Sequence, residues 1–449
     1  MEKTLYPFNY SQDIITLQTK YALFKRVINI VFSVTIDAGF DETVMHQAID
    51  WMIARNDCLR LTEVKDGKTS KLYFASGRKI GKIPSYKFDT TSKFEAFLRR
   101  FRKTPTDLKK GKTLEAVFGR NPEGKQFVLF KVSHMVADTY GIGVLVTDLM
   151  KVYESLKNGK ELPSAPGSFE EVMAKDAEFR ANDAAVEKDR AFFDEYFKKR
   201  HPERPIYCGI HGNGSDRWLK NKRKGAISLP YLFIKCDTEG YRFVIPAAVT
   251  QQVEAWCAAN AITMNTFFFY TCGIATSLLN DRAKYQLPLE LLNCRGSLAE
   301  RKAAGTKVQS LGVCVTVDYD KTFLESVTPL SEEQKELYRH TRLTYLEIED
   351  LTHKFYDFSM LGQVTSYCFS FIPMAMPKGV TLQVHSNGKG ALTGYIAMMH
   401  NVDTNEIETV YDIQTKMITP QQLVDFQNTW VHVAELVIGH PEVPMKELF

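Results

Sequence analysis

The sequence predicts an α/β protein of two domains, and three observations carry that expectation. The chain has 449 residues, 44% of them hydrophobic and 12% aromatic, enough for two or three cores at roughly 150 residues per domain. Short alternating or β-branched runs interleave with runs whose apolar residues recur every three to four positions, in both halves of the chain, which is the pattern of strands and helices packed in layers. Between the halves, Glu161-Leu-Pro-Ser-Ala-Pro-Gly-Ser has linker composition. The division expected is therefore a first domain over 1–165, a bridging helix and linker over 166–240, and a second domain over 241–449.

Composition excludes several classes. A formal net charge of +4 with 24% charged residues falls short of the broad basic surface of a nucleic-acid binder. The eight cysteines are scattered through apolar stretches without CxxC pairs or zinc-type histidine spacing, so they read as reduced core thiols, and no metal is expected. The first eight residues lack a basic segment followed by an apolar one. The apolar stretch Ala261–Leu279 carries Thr, Asn and Ser and reads as a buried helix, not a membrane span. A cytoplasmic protein is expected.

The elements follow in order. Residues 23–36 (LFKRVINIVFSVTI) are rich in β-branched residues and predict a strand. Asp41 is placed to cap a helix over the next fifteen residues, to Asn56, where Val44, Ala48, Ile49, Met52 and Ile53 share a face. Asp66-Gly67 predicts a hairpin. From Arg78 to Lys112 there are twelve Lys or Arg against three acids, a local basic face that reads either as a solvated surface or as a dock for an anionic partner. Gln126–Ser133 alternates as a strand does, and Ile142 to Leu156 marks an amphipathic helix that Asn158-Gly159 stops. A charged helical run covers Phe169–Arg200. In the second half, strands are expected at 241–245, 287–293, 311–319, 365–372, 381–385, 392–398 and 408–413. Helices are expected where Val249, Val253 and Trp256 line one face, from Thr263 to Leu279, and over 420–439. Asn387-Gly388 reads as the turn of a hairpin, since Gly388, Gly390 and Gly394 miss the spacing of a dinucleotide loop.

His134 is the candidate catalytic residue. It stands where a strand ends and a helix-bound turn begins, a place that can present a side chain rigidly, although a lone histidine read by itself is more often a satisfied structural imidazole. The run Ser133-His134-Met-Val-Ala-Asp138-Thr139-Tyr-Gly141 resembles the HHxxxDG signature of nonribosomal peptide synthetase condensation domains and their chloramphenicol-acetyltransferase-like relatives. Further matches fall in the family's order: Tyr6-Pro-Phe with Gln12, Arg55-Asn-Asp-Cys-Leu-Arg60, Tyr153, Thr263-Met-Asn-Thr, Asn293-Cys-Arg295 and Leu311-Gly-Val-Cys-Val-Thr-Val. The resemblance spans about Tyr6 to Val437.

What the resemblance implies is a pair of acetyltransferase-like lobes in a V-shaped pseudodimer with a central tunnel, and a stand-alone acyltransferase. An acyl group arrives as a phosphopantetheine or coenzyme A thioester, no cofactor is bound permanently, and an amine attacks with His134 as general base. An acyl or peptidyl carrier protein is the implied partner. An alcohol acceptor with acyl-CoA as donor, or a non-catalytic carrier-docking module, are the alternatives. Asp138 is expected to pair with an arginine, Arg295 first and Arg60 second, and thereby to hold the loop; a plain N-cap is the other reading. Two positions depart from the signature. Ser133 replaces its first histidine and keeps a structural hydrogen bond. Thr139 replaces its glycine, with Gly141 and Gly143 following, which implies a tighter channel, a different acceptor or lost catalysis. Thr316 and Ser370 are candidates for an oxyanion donor or tunnel lining, each also readable as an ordinary strand residue. The basic run with Arg217, Lys220, Lys222, Arg223 and Lys224 is a candidate carrier or coenzyme A dock, or simply a surface loop.

Overall fold

The computed structural model describes residues 3–21, 23–206, 208–212, 227–228, 236–357, 362–363, 367–390 and 394–449. Backbone contacts group the chain into two compact units, each assembled from separate stretches of sequence. The first gathers Met1–Ala185, Asn293–Val308 and Met374–Gly388; the second gathers Val186–Leu292, Gln309–Pro373 and Lys389–Phe449. Boundaries drawn at 165 and 240 miss the two returns into the first unit.

In the first unit, helix α1 (Tyr10–Tyr21) precedes strand β1 (Asn29–Ile36), and a single 3₁₀ turn over Lys25–Ile28 takes the place of the earlier part of the expected strand. Helix α2 (Glu42–Arg55) is capped by Asp41, whose carboxylate accepts from the N–H groups of Thr43 and Val44. Strands β2 (Leu61–Asp66) and β3 (Thr69–Phe74) form the expected hairpin around Gly67, whose φ of 60° is the left-handed conformation such a turn requires. Then come β4 (Ser85–Lys87), α3 (Thr91–Phe101), β5 (Leu114–Arg120), β6 (Gln126–Ser133) and α4 (Thr139–Lys157). The last strand, β15 (Val380–His385), arrives from far along the sequence and completes a five-stranded sheet in the order β15-β1-β6-β5-β4.

The β-branched stretch of β1 becomes a central strand because both its neighbours bury it: Val31, Val34 and Phe32 are 0 to 2% exposed. On one face of the sheet, Val31, Phe88, Val117, Phe127 and Leu129 make a cluster that receives Phe94, Phe97, Leu98 and Phe101 from α3. Their i, i+3, i+4, i+7 spacing is what makes α3 a helix that covers a sheet. Lys131, 0% exposed, lies opposite Glu115 and Val31 in the ladder. Its ammonium is held by Glu115 at 3.0 Å, Thr104 Oγ1 at 2.6 Å and the carbonyl of Phe101 at the C-terminal end of α3. The basic face of 78–112 is thus partly internal structure. Arg78 donates to the carbonyls of Leu59 and Leu61 and to Thr62, and Arg102 to the carbonyl of Ser386, while Lys79, Lys82, Lys87, Arg100 and Lys103 are exposed.

The helical run after the linker breaks at Ala181-Asn182 into α5 (Phe169–Arg180) and α6 (Asp183–Glu195). The start of α5 is held from outside: the Asp57 carboxylate accepts from Ser168 Oγ and from the N–H groups of Phe169 and Glu170.

The second unit holds β7 (Ile227–Ser228), β8 (Thr238–Ile245), β9 (Tyr285–Gln286), β10 (Leu289–Asn293), β11 (Val308–Gly312), β12 (Val315–Thr316), β13 (Gly362–Gln363), β14 (Tyr367–Met374), β16 (Gly394–Asn401) and β17 (Glu406–Gln414). Six of them form a sheet in the order β11-β10-β14-β16-β17-β8. Helix Met264–Leu279 is buried over most of its length, as its predominantly apolar sequence requires, and Trp430 of helix Pro420–Gly439 donates its indole N–H to Thr271 on it at 3.0 Å. Two expectations are corrected. The single strand at 311–319 is two short pieces, β11 and β12, in different sheets. Asn387-Gly388 is not a hairpin turn: β15 before it pairs with β1, whereas β16 after it pairs with β17, so the turn carries the chain from one sheet to another. None of the eight cysteines is in a disulfide, and all are buried except the half-buried Cys294. Among the described residues no single helix is long and apolar enough to cross a membrane.

Candidate active site

His134 occupies the turn between β6 and α4, in the first unit. The strand before it is locked into the ladder, with the Ser133 N–H donating to the carbonyl of Thr113 and the His134 N–H to that of Ile28. Ser133 is fully buried and its Oγ accepts from the Met135 N–H at 3.3 Å, a hydrogen bond that fixes the first step of the turn. Two side chains then hold the next two carbonyls: Thr306 Oγ1 donates to His134 O, and Gln12 Nε2 to Met135 O at 2.8 Å.

The imidazole is partly exposed, yet its Nδ1 is buried with no hydrogen-bond partner. Burial pushes the ring's pKa below the ordinary 6.5, while the residue's own backbone carbonyl and the Asp138 carboxylate pull it part of the way back. The ring is therefore neutral near pH 7, and Nε2 is its open edge.

Asp138 does not touch the ring. Its carboxylate, 1% exposed, meets the guanidinium of Arg295 as a two-pronged pair, Oδ2 to Nη1 at 3.0 Å and Oδ1 to Nη2 at 3.1 Å. The same oxygens accept from the N–H of Gly141 at 2.7 Å, which caps α4, and from the N–H of Lys307 at 2.7 Å. Cap and ion pair are thus one arrangement. Arg60, the second candidate partner, instead donates to the carbonyl of Ala75. Arg295 spends its remaining donors on Asn293 Oδ1 and the carbonyls of Ala303 and Gly305, and lies 4.7 Å over the ring of Tyr140.

The segment carrying Arg295 is seated by close packing. A Cβ on Gly141 would lie 1.8 Å from the carbonyl oxygen of Ala304, and one on Gly305 1.9 Å from the Phe169 ring. Thr139 opens α4 without a positive φ, so its backbone has no need of the glycine that the signature has there.

Sequence reasoning missed Lys307, Asp176, Thr306 and Asn9. Lys307 Nζ lies 2.9 Å from both Asp176 of α5 and Glu300. Burial alone would raise the Glu300 carboxyl, but Lys307 and the Ser297 backbone N–H and hydroxyl hold it down to about 2. The available signal was a lysine at the head of an apolar strand run. Thr316 and Ser370 lie in the second unit; Thr316 is on the β12–β9 ladder with its carbonyl accepting from Tyr270, and Ser370 is buried on β14. Arg217, Lys220, Lys222, Arg223 and Lys224 lie outside the described residues.

Comparison with known proteins gives one consistent result. The profile of the Condensation domain family matches residues 2–448. A plipastatin synthase polypeptide of Bacillus subtilis (strain 168) is 20% identical over 94% of this chain, and a surfactin synthase polypeptide of the same organism 22% identical over 100%. The chain spans only 16% and 12% of the length of those two proteins. Among solved structures, the starter condensation domain of rhizomide synthetase RzmA in complex with C8-CoA superposes with a TM-score of 0.81 at 14% identity, covering 99% of this chain and 97% of the other. The SgcC5 protein from Streptomyces globisporus, in complex with a naphthyl ethanediol, gives 0.74 at 15% identity over 98% and 100%.

Proposed function

Since the chain belongs to the condensation-domain family, whose members are acyltransferases that form amide bonds, we propose that it transfers an acyl group from a carrier-bound or coenzyme A thioester to an amine, with His134 as general base. The observation that carries this reading is the ring itself: neutral, buried at Nδ1, open at Nε2, on a turn held at two successive carbonyls. Nε2 accepts the proton of the amine as its nitrogen attacks the thioester carbonyl, and returns it as the thiol leaves. Such help is worth roughly 10²–10⁴-fold in rate. Asp138 and Arg295 act by holding the turn, not by taking a proton.

The exposed cations of the 78–112 face suit the acidic surface of a carrier or the phosphates of coenzyme A. Ester formation with an alcohol is the second reading, favoured by the diol held in the SgcC5 structure, since a hydroxyl nucleophile needs the same base.

Intact-mass detection of product tests both readings. Wild type and His134→Ala are given C8-CoA or a carrier-loaded acyl donor, with amine and alcohol acceptors. The expected result is product from wild type and a loss of about 10²–10⁴-fold in the variant. Equal turnover by the variant, or carrier binding without product from any donor, overturns it, the latter in favour of a docking module.

A further inference from the structure

Between Arg295 and Lys307, whose contacts hold the His134 turn, lies a short helix, Leu298–Lys302, to which the proposed chemistry gives no role. It is firmly seated. Ser297 and Glu300 cap it reciprocally, the Gly167 N–H donates to the carbonyl of Lys302 at 2.9 Å, and the Tyr140 hydroxyl donates to that of Arg301 at 3.2 Å. A Cβ on Gly167 would lie 2.8 Å from the carbonyl oxygen of Ala299. Beyond the helix, Thr306 holds the His134 carbonyl and is itself held by Asn9, whose Nδ2 donates to the Thr306 carbonyl at 3.1 Å. All of these residues belong to the first unit.

The helix joins an apolar side chain to positive charge. Leu298 is 69% exposed, more than any other large apolar side chain among the described residues. Arg301 and Lys302, at i+3 and i+4 from it and so its neighbours on the helix surface, are exposed too. Glu300, the one acid of the helix, is held by Lys307 and Ser297, and among the described residues no carboxylate pairs with Arg301 or Lys302. A lone exposed leucine needs no explanation. Held firmly beside two uncompensated cations, it has the make-up of a contact site. A free phosphate would engage the cations and leave Leu298 idle, and a bilayer would need a broader apolar face. An acidic protein helix with an apolar residue engages all three side chains.

We propose that the helix Leu298–Lys302 is the contact at which an acidic, thioester-carrying protein docks, with Leu298 as the apolar anchor and Arg301 and Lys302 paired to its carboxylates. That the partner delivers an acyl group rests on the acyl-transfer reading above; the docking itself does not. The two basic regions then divide the work. Scattered cations on the 78–112 face draw an acidic partner in from a distance, which acts on the rate of association, whereas an apolar anchor between charges acts on the rate of release.

Binding and turnover of two donors with the same acyl chain test this on the full chain: a fluorescently labelled acyl carrier protein bearing octanoyl-phosphopantetheine, and C8-CoA. The variants are Leu298→Ser and the pair Arg301→Glu with Lys302→Glu, all at exposed positions, with thermal melts to confirm that they fold. The expected result is a rise of about tenfold or more in Kd and KM for the carrier-bound donor in both variants, mostly through faster release. KM for C8-CoA and kcat for either donor stay at the wild-type values, and the charge-reversed variant loses much of the salt dependence of carrier binding. Carrier binding that is unchanged in both variants overturns the proposal. So does an equal rise in KM for C8-CoA, which would mark a phosphate site, or a wild type that does not bind the carrier at low ionic strength. A wild type that turns over no donor yet loses carrier binding in the variants would remove the acyl-transfer reading and leave the docking site standing.

Discussion

The two units each bury a carboxylate almost completely, and they satisfy it in opposite ways. In the first, Asp138 meets a guanidinium and two backbone N–H groups. In the second, Glu290, 0% exposed, has no cation beside it among the described residues: Oε1 accepts from Asn265 at 2.6 Å and Tyr338 at 2.7 Å, and Oε2 from Gln334 at 3.0 Å. Burial pushes the Glu290 carboxyl above the ordinary range, and these three neutral donors pull it only part of the way back. A charge balanced by a charge fixes the geometry of the turn. A carboxyl held by neutral donors is only conditionally comfortable, and its contribution to stability depends on pH.

Breaking the first pair should have the largest effect. Asp138→Ala leaves Arg295 buried without its counter-charge and the N–H groups of Gly141 and Lys307 without an acceptor, so urea unfolding should show a loss of about 3–5 kcal/mol. A loss below about 1 kcal/mol would mean that the pair is not what seats the turn. Gly141→Ala attacks the same seat by overpacking against Ala304, and the destabilisation expected is about 1–3 kcal/mol, read the same way.

Glu290→Gln sharpens the contrast. The amide of Gln334 can turn over to meet the new NH₂, so the expected change near neutral pH is about 1 kcal/mol or less. The larger signature is in the pH dependence. With the folded pKa raised, stability present below the ordinary carboxylate value is lost as pH rises through the raised one. The glutamine variant should lack that decline, which paired unfolding curves across the acid range will show. The smallest effect is expected for Thr139→Gly, which restores the residue of the family signature at a helix-opening position with ordinary φ: up to about 1 kcal/mol in stability, with turnover little changed.

Much of this was legible because it is local. The Asp41 cap, the Asp66-Gly67 turn and the Asn158-Gly159 stop are written in neighbouring residues, and each lies where its chemistry places it. Asp138 was legible twice, as a cap and as half of an ion pair, and the structure shows that one carboxylate does both. The returns of 293–308 and 374–388 into the first unit were not legible, because nothing in a strand such as β15 states which sheet will bury it. For the same reason Asn387-Gly388 looked like a hairpin. Thr306, Asn9 and Lys307 escaped notice since their roles come from partners 130 or more residues away, and short polar side chains in an otherwise apolar run carry no periodic signal.

The most direct test of the account is the pH profile of kcat/KM for acyl transfer, measured beside an NMR titration of His134. The account predicts an acid limb that follows the titration of this one imidazole, with an apparent pKa below 6.5, and its disappearance with turnover in His134→Ala. A profile flat through that range, or an acid limb that survives in the variant at undiminished rate, would contradict it.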